Sequence, residues 1–170
     1  GFINTPKLTI TTGTPNFLNS KLNSFNVQGG SIELEGESLN FSNINKAELY
    51  SKIIRINSKI HAKDLSFVVG LNTINVDGSI TKNAQESDSP TFAIDASVLG
   101  GIYANKISLI GTQDGVGINL PIEILAQDSL SLSANGKLSV QTLNASDIDI
   151  QAKDFIADTT DISASETISI

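Results

Sequence analysis

Apolar and polar residues alternate in short pieces near the end of this chain, and the pieces recur in a fixed order. Leu130, Leu132 and Ala134 form one alternating piece, Leu138 and Val140 a second, Leu143 and Ala145 a third. Ile148, Ile150 and Ala152, then Phe155 and Ala157, then Ile162 and Ala164 repeat that order, and Ile168 with Ile170 begins it again. Leu130 and Ile148 are 18 positions apart, Leu143 and Ile162 are 19 apart, and Ile148 and Ile168 are 20 apart. Alternation with a period of two predicts strands, because successive side chains point to opposite faces. Three short strands in every repeat of this length predict a solenoid, in which each coil buries its apolar face against the coils above and below.

Earlier in the chain the same pattern is looser. Leu8 to Thr12 predicts a strand closed by Gly13, Thr14 and Pro15, and residues 14–24 read as a polar loop tethered by Phe17 and Leu18. Phe25 to Val27 leads into Gly29 and Gly30, and Ser31 to Glu37 predicts a strand with Ile32 and Leu34 facing inward. Between Asn45 and Ser58, Leu49, Ile53 and Ile56 would share one helical face. The β-branched Ile53, Ile54 and Ile56 disfavour helix, so two strands around Ala47–Leu49 and Ile54–Ile56 are the favoured reading.

Ile60, Ala62, Leu65 and Phe67 recur 42 positions later as Ile102, Ala104, Ile107 and Leu109. That spacing fits one coil plus an excursion. Asp77-Gly78 between alternating runs predicts a hairpin, and Lys82 to Pro90 an exposed loop. Residues 71–92 are therefore expected to project from the solenoid, with Phe92 to Ala96 rejoining it.

Composition agrees with a scaffold and narrows its partners. The 170 residues suffice for one domain with a sizeable core. Eleven Lys plus Arg against 18 Asp plus Glu give a net charge of −7, which argues against nucleic acid or an anionic membrane as a partner. Charged residues make up only 17%, so the polar surface is mainly Ser, Thr and Asn, which can stack in ladders between coils. Aromatic residues are 5% with no Trp, leaving Ile, Leu, Val and Ala to build the core. Cysteine is absent, which excludes disulfides and thiolate metal sites. Methionine is absent too, even at position 1, so the chain reads as an excised piece of a longer product. No run approaches the ~18 apolar residues of a membrane span, and any export signal is expected upstream of Gly1.

Candidate chemistry is sparse. His61, the single histidine, lies between Ile60 and Ala62 and is expected to face solvent; no second His or Cys accompanies it as a metal ligand or base partner. Glu33, Glu35 and Glu37 share an outward face, and Asp147, Asp149, Asp154, Asp158 and Asp161 recur along the last coils. A β-helical polysaccharide-active enzyme would cluster such acids with Lys or Arg. Arg55 is the only arginine here, so solvated acids are the better reading. Neither Gly29-Gly30 nor Gly100-Gly101 continues into a calcium-binding repeat, and residues 111–117 lack the Gly-Lys-Ser/Thr of a phosphate loop. No catalytic residue, cofactor or metal is assigned, and the chain is read as a non-enzyme.

Three stretches resemble one family. Residues 1–13, with Phe2, Asn4, Thr5, Thr12 and Gly13, look like a segment near the start of filamentous haemagglutinin-type exoproteins. Phe25 to Gly30, with Gly29 and Gly30, is similar to the next segment. The most specific match is Leu99 to Ile107, carrying Gly100, Gly101, Tyr103 and Ala104 and running into Gly111, Gly115 and Gly117. The resemblance is to the N-terminal two-partner-secretion domain of haemagglutinin-like adhesins and contact-dependent growth-inhibition effectors.

That resemblance implies an all-β, right-handed parallel β-helix with an extra-helical β-hairpin excursion. It implies a secretion domain over residues 1–125, with the excursion at about 71–92, and the first coils of a repeat shaft over 126–170. Seven or eight coils of about 20 residues would give a rod ~35–40 Å long. The family's capping segment and asparagine-proline motifs lie upstream of Gly1, so an upstream segment or another chain would cover the first coil's strand edges. The implied partner is an outer-membrane β-barrel transporter whose periplasmic domains recognise the unfolded secretion domain. The implied location is the surface of a Gram-negative bacterium after passage through the periplasm. A receptor on a host cell or target bacterium would be met through the full-length protein. The implied function is secretion and folding nucleation; the alternatives are a receptor- or carbohydrate-binding adhesin surface using 71–92 and, behind it, the polysaccharide-active enzyme. The fourteen matching positions are expected to serve turns and packing.

Overall fold

The structure is a computed structural model describing residues 5–84 and 88–170, and of residues 158–160 the backbone alone. Every described element is a strand. The first coils are built from β1 (Lys7–Thr11), β4 (Ser31–Leu34), β5 (Ser38–Asn40), β6 (Lys46–Ser51), β7 (Ile53–Ile56), β8 (Lys59–His61), β9 (Asp64–Val69) and β12 (Phe92–Ala96). They continue into β13 (Gly101–Gly111) and β14 (Gly117–Ser169), which winds unbroken to the end. Two hairpins leave this path: β2 (Thr14–Leu18) with β3 (Lys21–Val27), and β10 (Asn72–Asn75) with β11 (Ile80–Lys82).

All pairings along the coil are parallel and fall into three faces. Face one stacks β1, β6, β9, the second half of β13 and then β14. Face two stacks β4, β7, β12 and β14. Face three stacks β5, β8, the first half of β13 and β14. Parallel strands joined this way give the right-handed β-helix that the repeats predict. The two strands expected between Asn45 and Ser58 are β6 and β7. Ile60 pairs with Ile102, Leu65 with Ile107 and Phe67 with Leu109, so the 42-position recurrence is one coil carrying an excursion.

The interior is a continuous aliphatic column. Leu49, Ile54, Ile56, Ile60, Phe67, Ile94, Ile102, Leu109, Ile118 and Leu120 are wholly buried, each contributing about 2 kcal/mol of transfer free energy. In the later coils Leu130, Leu132, Leu138, Val140, Leu143, Ile148 and Ile150 are buried as the alternation requires.

Three expectations are corrected. Residues 14–24 are not a loop: most of them form β2 and the start of β3. The strand at Ser31 stops at Leu34, because Gly36 takes a φ of +106° that breaks the extended backbone before Glu37. The described chain also makes fewer turns than seven or eight. Lys46 lies 39 positions beyond its partner Lys7, and Lys106 lies 42 beyond Asp64, so two coils are lengthened by hairpins.

Those hairpins join into a second, antiparallel sheet in the order β11-β10-β3-β2. The hairpin expected within 71–92 is β10–β11, turning at Asp77–Gly78; residues 85–87 of that stretch lie outside the described residues. Instead of standing away, this sheet lies back on face one. Val27, Ile74, Phe25 and Ile80 cover Tyr50 and Val68, the outward residues of β6 and β9. Strands of face one are therefore buried on both sides in these coils.

Candidate functional site

The seam between the second sheet and face one holds a buried, doubly paired carboxylate. Glu48 points outward from β6, where alternation would leave it solvated, but the second sheet roofs it and only 5% of its side chain is exposed. Lys46 Nζ lies 2.7 Å from one carboxylate oxygen and Lys7 Nζ 2.9 Å from the other, while the Thr9 hydroxyl donates to it at 3.3 Å. Burial alone would raise this carboxyl. Hydrogen bonds from Lys46, Tyr50 and Lys7, with the charge of Lys46, more than offset it and hold the pKa down at about 2. Burial, followed by the hydrogen bond to Glu48, raises the Tyr50 phenol well above its ordinary value. A small cavity of about 250 Å³ under the hairpin tips is lined by Lys7, Thr9, Glu48 and Tyr50 with Leu22, Phe25 and Val76.

A second buried polar cluster sits where β9 turns into β10. Asn72 is fully buried; its amide donates to the Val69 carbonyl at 3.2 Å and its oxygen accepts the Thr112 hydroxyl at 2.7 Å. Gly70 makes the turn possible. Its φ is +112°, and a Cβ there would stand 2.5 Å from the Thr112 Oγ1.

The sequence-predicted positions fall into three separate groups. Phe2 and Asn4 lie outside the described residues. Thr5 precedes β1 and its hydroxyl donates to the Lys7 carbonyl. Thr12 and Gly13 follow β1, and Thr12 Oγ1 donates to the Gly29 carbonyl at 2.7 Å and meets Ser51 Oγ at 3.1 Å. Gly29 and Gly30 thus close the hairpin base against Thr12. Gly100 ends the turn before β13, and Gly101, Tyr103 and Ala104 lie within β13 on face three. There Gly101 and Tyr103 act together. The ring leans over Gly101, within 2.9 Å of where a Cβ would be, and the phenol donates to Glu123 of the next coil at 2.9 Å. Gly111 closes β13, Gly115 lies in the turn and Gly117 opens β14, where a Cβ would meet the Lys137 carbonyl at 2.6 Å.

His61 lies on face three, partly exposed, and its ring stacks on Tyr103 at 5.1 Å with 15° between the planes. Above and below it runs an open groove of about 1050 Å³ floored by Ala62, Ala104, Ala126 and Ala145. Glu33, the only one of the three outward glutamates inside a strand, meets Arg55 at 3.4 Å; Glu35 and Glu37 are exposed beyond it. In the last coils Asp147 accepts the Thr167 hydroxyl, Asp149 accepts the Gln151 amide, and Asp154 and Asp161 face solvent. The side chain of Asp158 lies outside the described residues. Among the described residues, no three His, Asp or Glu side chains converge to hold a metal ion, and no helix is long and apolar enough to cross a membrane.

Sequence reasoning missed Glu48, Gly70, Asn72 and Thr112. A signal was present. Phe67-Val68-Val69 breaks the alternation with a continuous apolar run, and Tyr50 sits at an outward position; both mark a strand covered on its second face.

Comparison with known proteins converges on one family. The family model described as the TPS secretion domain matches residues 1–140. A "16S rRNA endonuclease CdiA" of Enterobacter cloacae is 40% identical over 147 residues, covering 86% of this chain and 4% of that protein. A "tRNA nuclease CdiA" of Yersinia mollaretii is 40% identical over 141 residues, 82% of this chain and 5% of that protein. The chain therefore spans only about one-twentieth of the length of these relatives. A solved filamentous hemagglutinin secretion domain superposes with a TM-score of 0.86 over 96% of this chain and 59% of that one, at 17% identity. The region shared with the two nucleases is the secretion domain, not a catalytic domain.

Proposed function

The chain belongs to the TPS secretion-domain family, and we propose that it directs the export and starts the folding of a much longer surface exoprotein. The observation that carries this reading is the family match over residues 1–140, which ends within the aliphatic coils. Membership pairs the domain with an outer-membrane transporter and places the protein on the secreted, cell-surface route through the periplasm. The transporter's periplasmic domains would recognise the chain before it folds, and a receptor on a target or host cell would be met through the remainder of the exoprotein. Residues 1–125 would form the secretion domain and 126–170 the first shaft coils. The matching glycines and Tyr103 would then serve turns and packing, as the close approaches at Gly101 and Gly117 support.

Such a module suits vectorial folding. A solenoid gains stability coil by coil, so an early set of coils can template those added later. The test is export of the parent exoprotein by its transporter with residues 1–140 intact or removed. Removal should abolish surface display; display that survives removal would overturn the reading.

A further inference from the structure

We infer that the two hairpins are halves of one clasp that locks the first four coils into a single cooperative unit. The β2–β3 hairpin leaves the first coil between β1 and β4, whereas β10–β11 leaves the third coil between β9 and β12. Their meeting is long-range: Asn72 pairs with Val27 and Asn75 with Ser24. Across that seam Thr73 Oγ1 donates to Asn26 Oδ1 at 3.4 Å, and Asn83 Nδ2 donates to the same oxygen at 2.9 Å.

The clasp touches every one of the first four coils. In the first, Thr12 meets Gly29, and Lys7 reaches Glu48 beneath the hairpin tips. In the second, Ser51 Oγ donates to the Gly30 carbonyl at 3.1 Å, and Tyr50 packs under Ile74 and Val27. The third supplies Val68 and the turn at Gly70. To the fourth run the Thr112–Asn72 bond and the Lys82–Asp114 ion pair. Opening any one coil therefore breaks contacts held by the others, whereas a bare solenoid couples only nearest neighbours.

Native-state hydrogen exchange on the chain tests this. Ile74→Ser weakens the seam without touching the solenoid interior. It should speed exchange of β1, β4, β6 and β9 amides together by at least about tenfold, although β1 lies far from position 74 in sequence. Acceleration confined to β2, β3, β10 and β11 would overturn the clasp. Because the chain has no cysteine, the double variant Asn26→Cys, Thr73→Cys provides the opposite arm. Oxidation should slow exchange in the first and third coils alike and leave β14 beyond Ser129 unchanged; slowing limited to the two bridged strands would refute the proposal. Loss of export with this exchange pattern intact counts against the secretion reading and leaves the clasp standing.

Discussion

The first four coils and the coils beyond Ser129 share one alternation and one core chemistry, yet they are held in different ways. In the early coils face one is sandwiched between the aliphatic column and the second sheet: Phe67 on the inside and Val68 on the outside are both buried. In the late coils there is a single layer. Leu132 is buried on the inside of face one, but Ser133, in register with Ile110 and Val68, is only half-buried on the outside. Periodicity alone therefore sets the path of the chain, while the second layer decides how firmly that path is held. The largest test opens each side of the early strand in turn. Phe67→Ala should cost about 3–5 kcal/mol, because a fully enclosed cavity cannot collapse. Val68→Ala, under the second sheet, should still cost about 1–2 kcal/mol in urea unfolding, whereas Ser133→Ala, at the matching outward position of a late coil, should stay within about 0.5 kcal/mol. Equal costs at the two outward positions would erase the distinction between the regions.

The second layer also creates an electrostatic difference. Glu48 is roofed and doubly paired, so its folded pKa of about 2 lies below its ordinary 4.5. A depressed carboxylate stabilises the fold fully above the unfolded value, and that contribution is lost as the pH falls through the folded one. Between about pH 4.5 and pH 2 the protein should lose on the order of 1–2 kcal/mol through this group, a figure reduced because both lysine partners are half-exposed. Glu48→Gln should flatten the acid limb of the stability profile in that window. An unchanged acid limb would show that the roof leaves Glu48 effectively solvated.

The two regions also differ in how far the sequence reveals them. The coils from Leu130 to Ile150 are legible because every inward position is apolar and every outward one polar. The 42-position match is legible for the same reason, with Ile60 and Ile102 facing one interior. The β2–β3 hairpin is hidden, since β2 is exposed along its whole length and its Thr-Pro-Asn-Phe-Leu carries no buried alternation. What holds it is the pairing of β3 with β10, some forty-odd positions away, and no local pattern encodes that. Glu48 is hidden by the same cause: its outward direction was readable, but the roof over it comes from Leu22, Phe25, Asn75 and Val76. The glycines matching the family were visible as residues. Their reasons emerge only from neighbours in other coils, such as the Lys137 carbonyl facing Gly117.

The smallest test compares two threonines that each tie one coil to another. Thr112 Oγ1 bonds the fully buried Asn72, so Thr112→Val strands a buried amide oxygen and should cost about 1–2 kcal/mol. Thr167 Oγ1 bonds Asp147 at the surface, where water replaces the lost donor, so Thr167→Val should cost only a few tenths of a kcal/mol. Both bonds join coils, and counting bonds would rank them equal. The difference comes from what surrounds the acceptor: the second layer excludes water from Asn72, and nothing of the kind shields Asp147. If thermal melts show the two substitutions to be equivalent, the early coils owe their firmness to the aliphatic column alone, and the second sheet is no more than a covering.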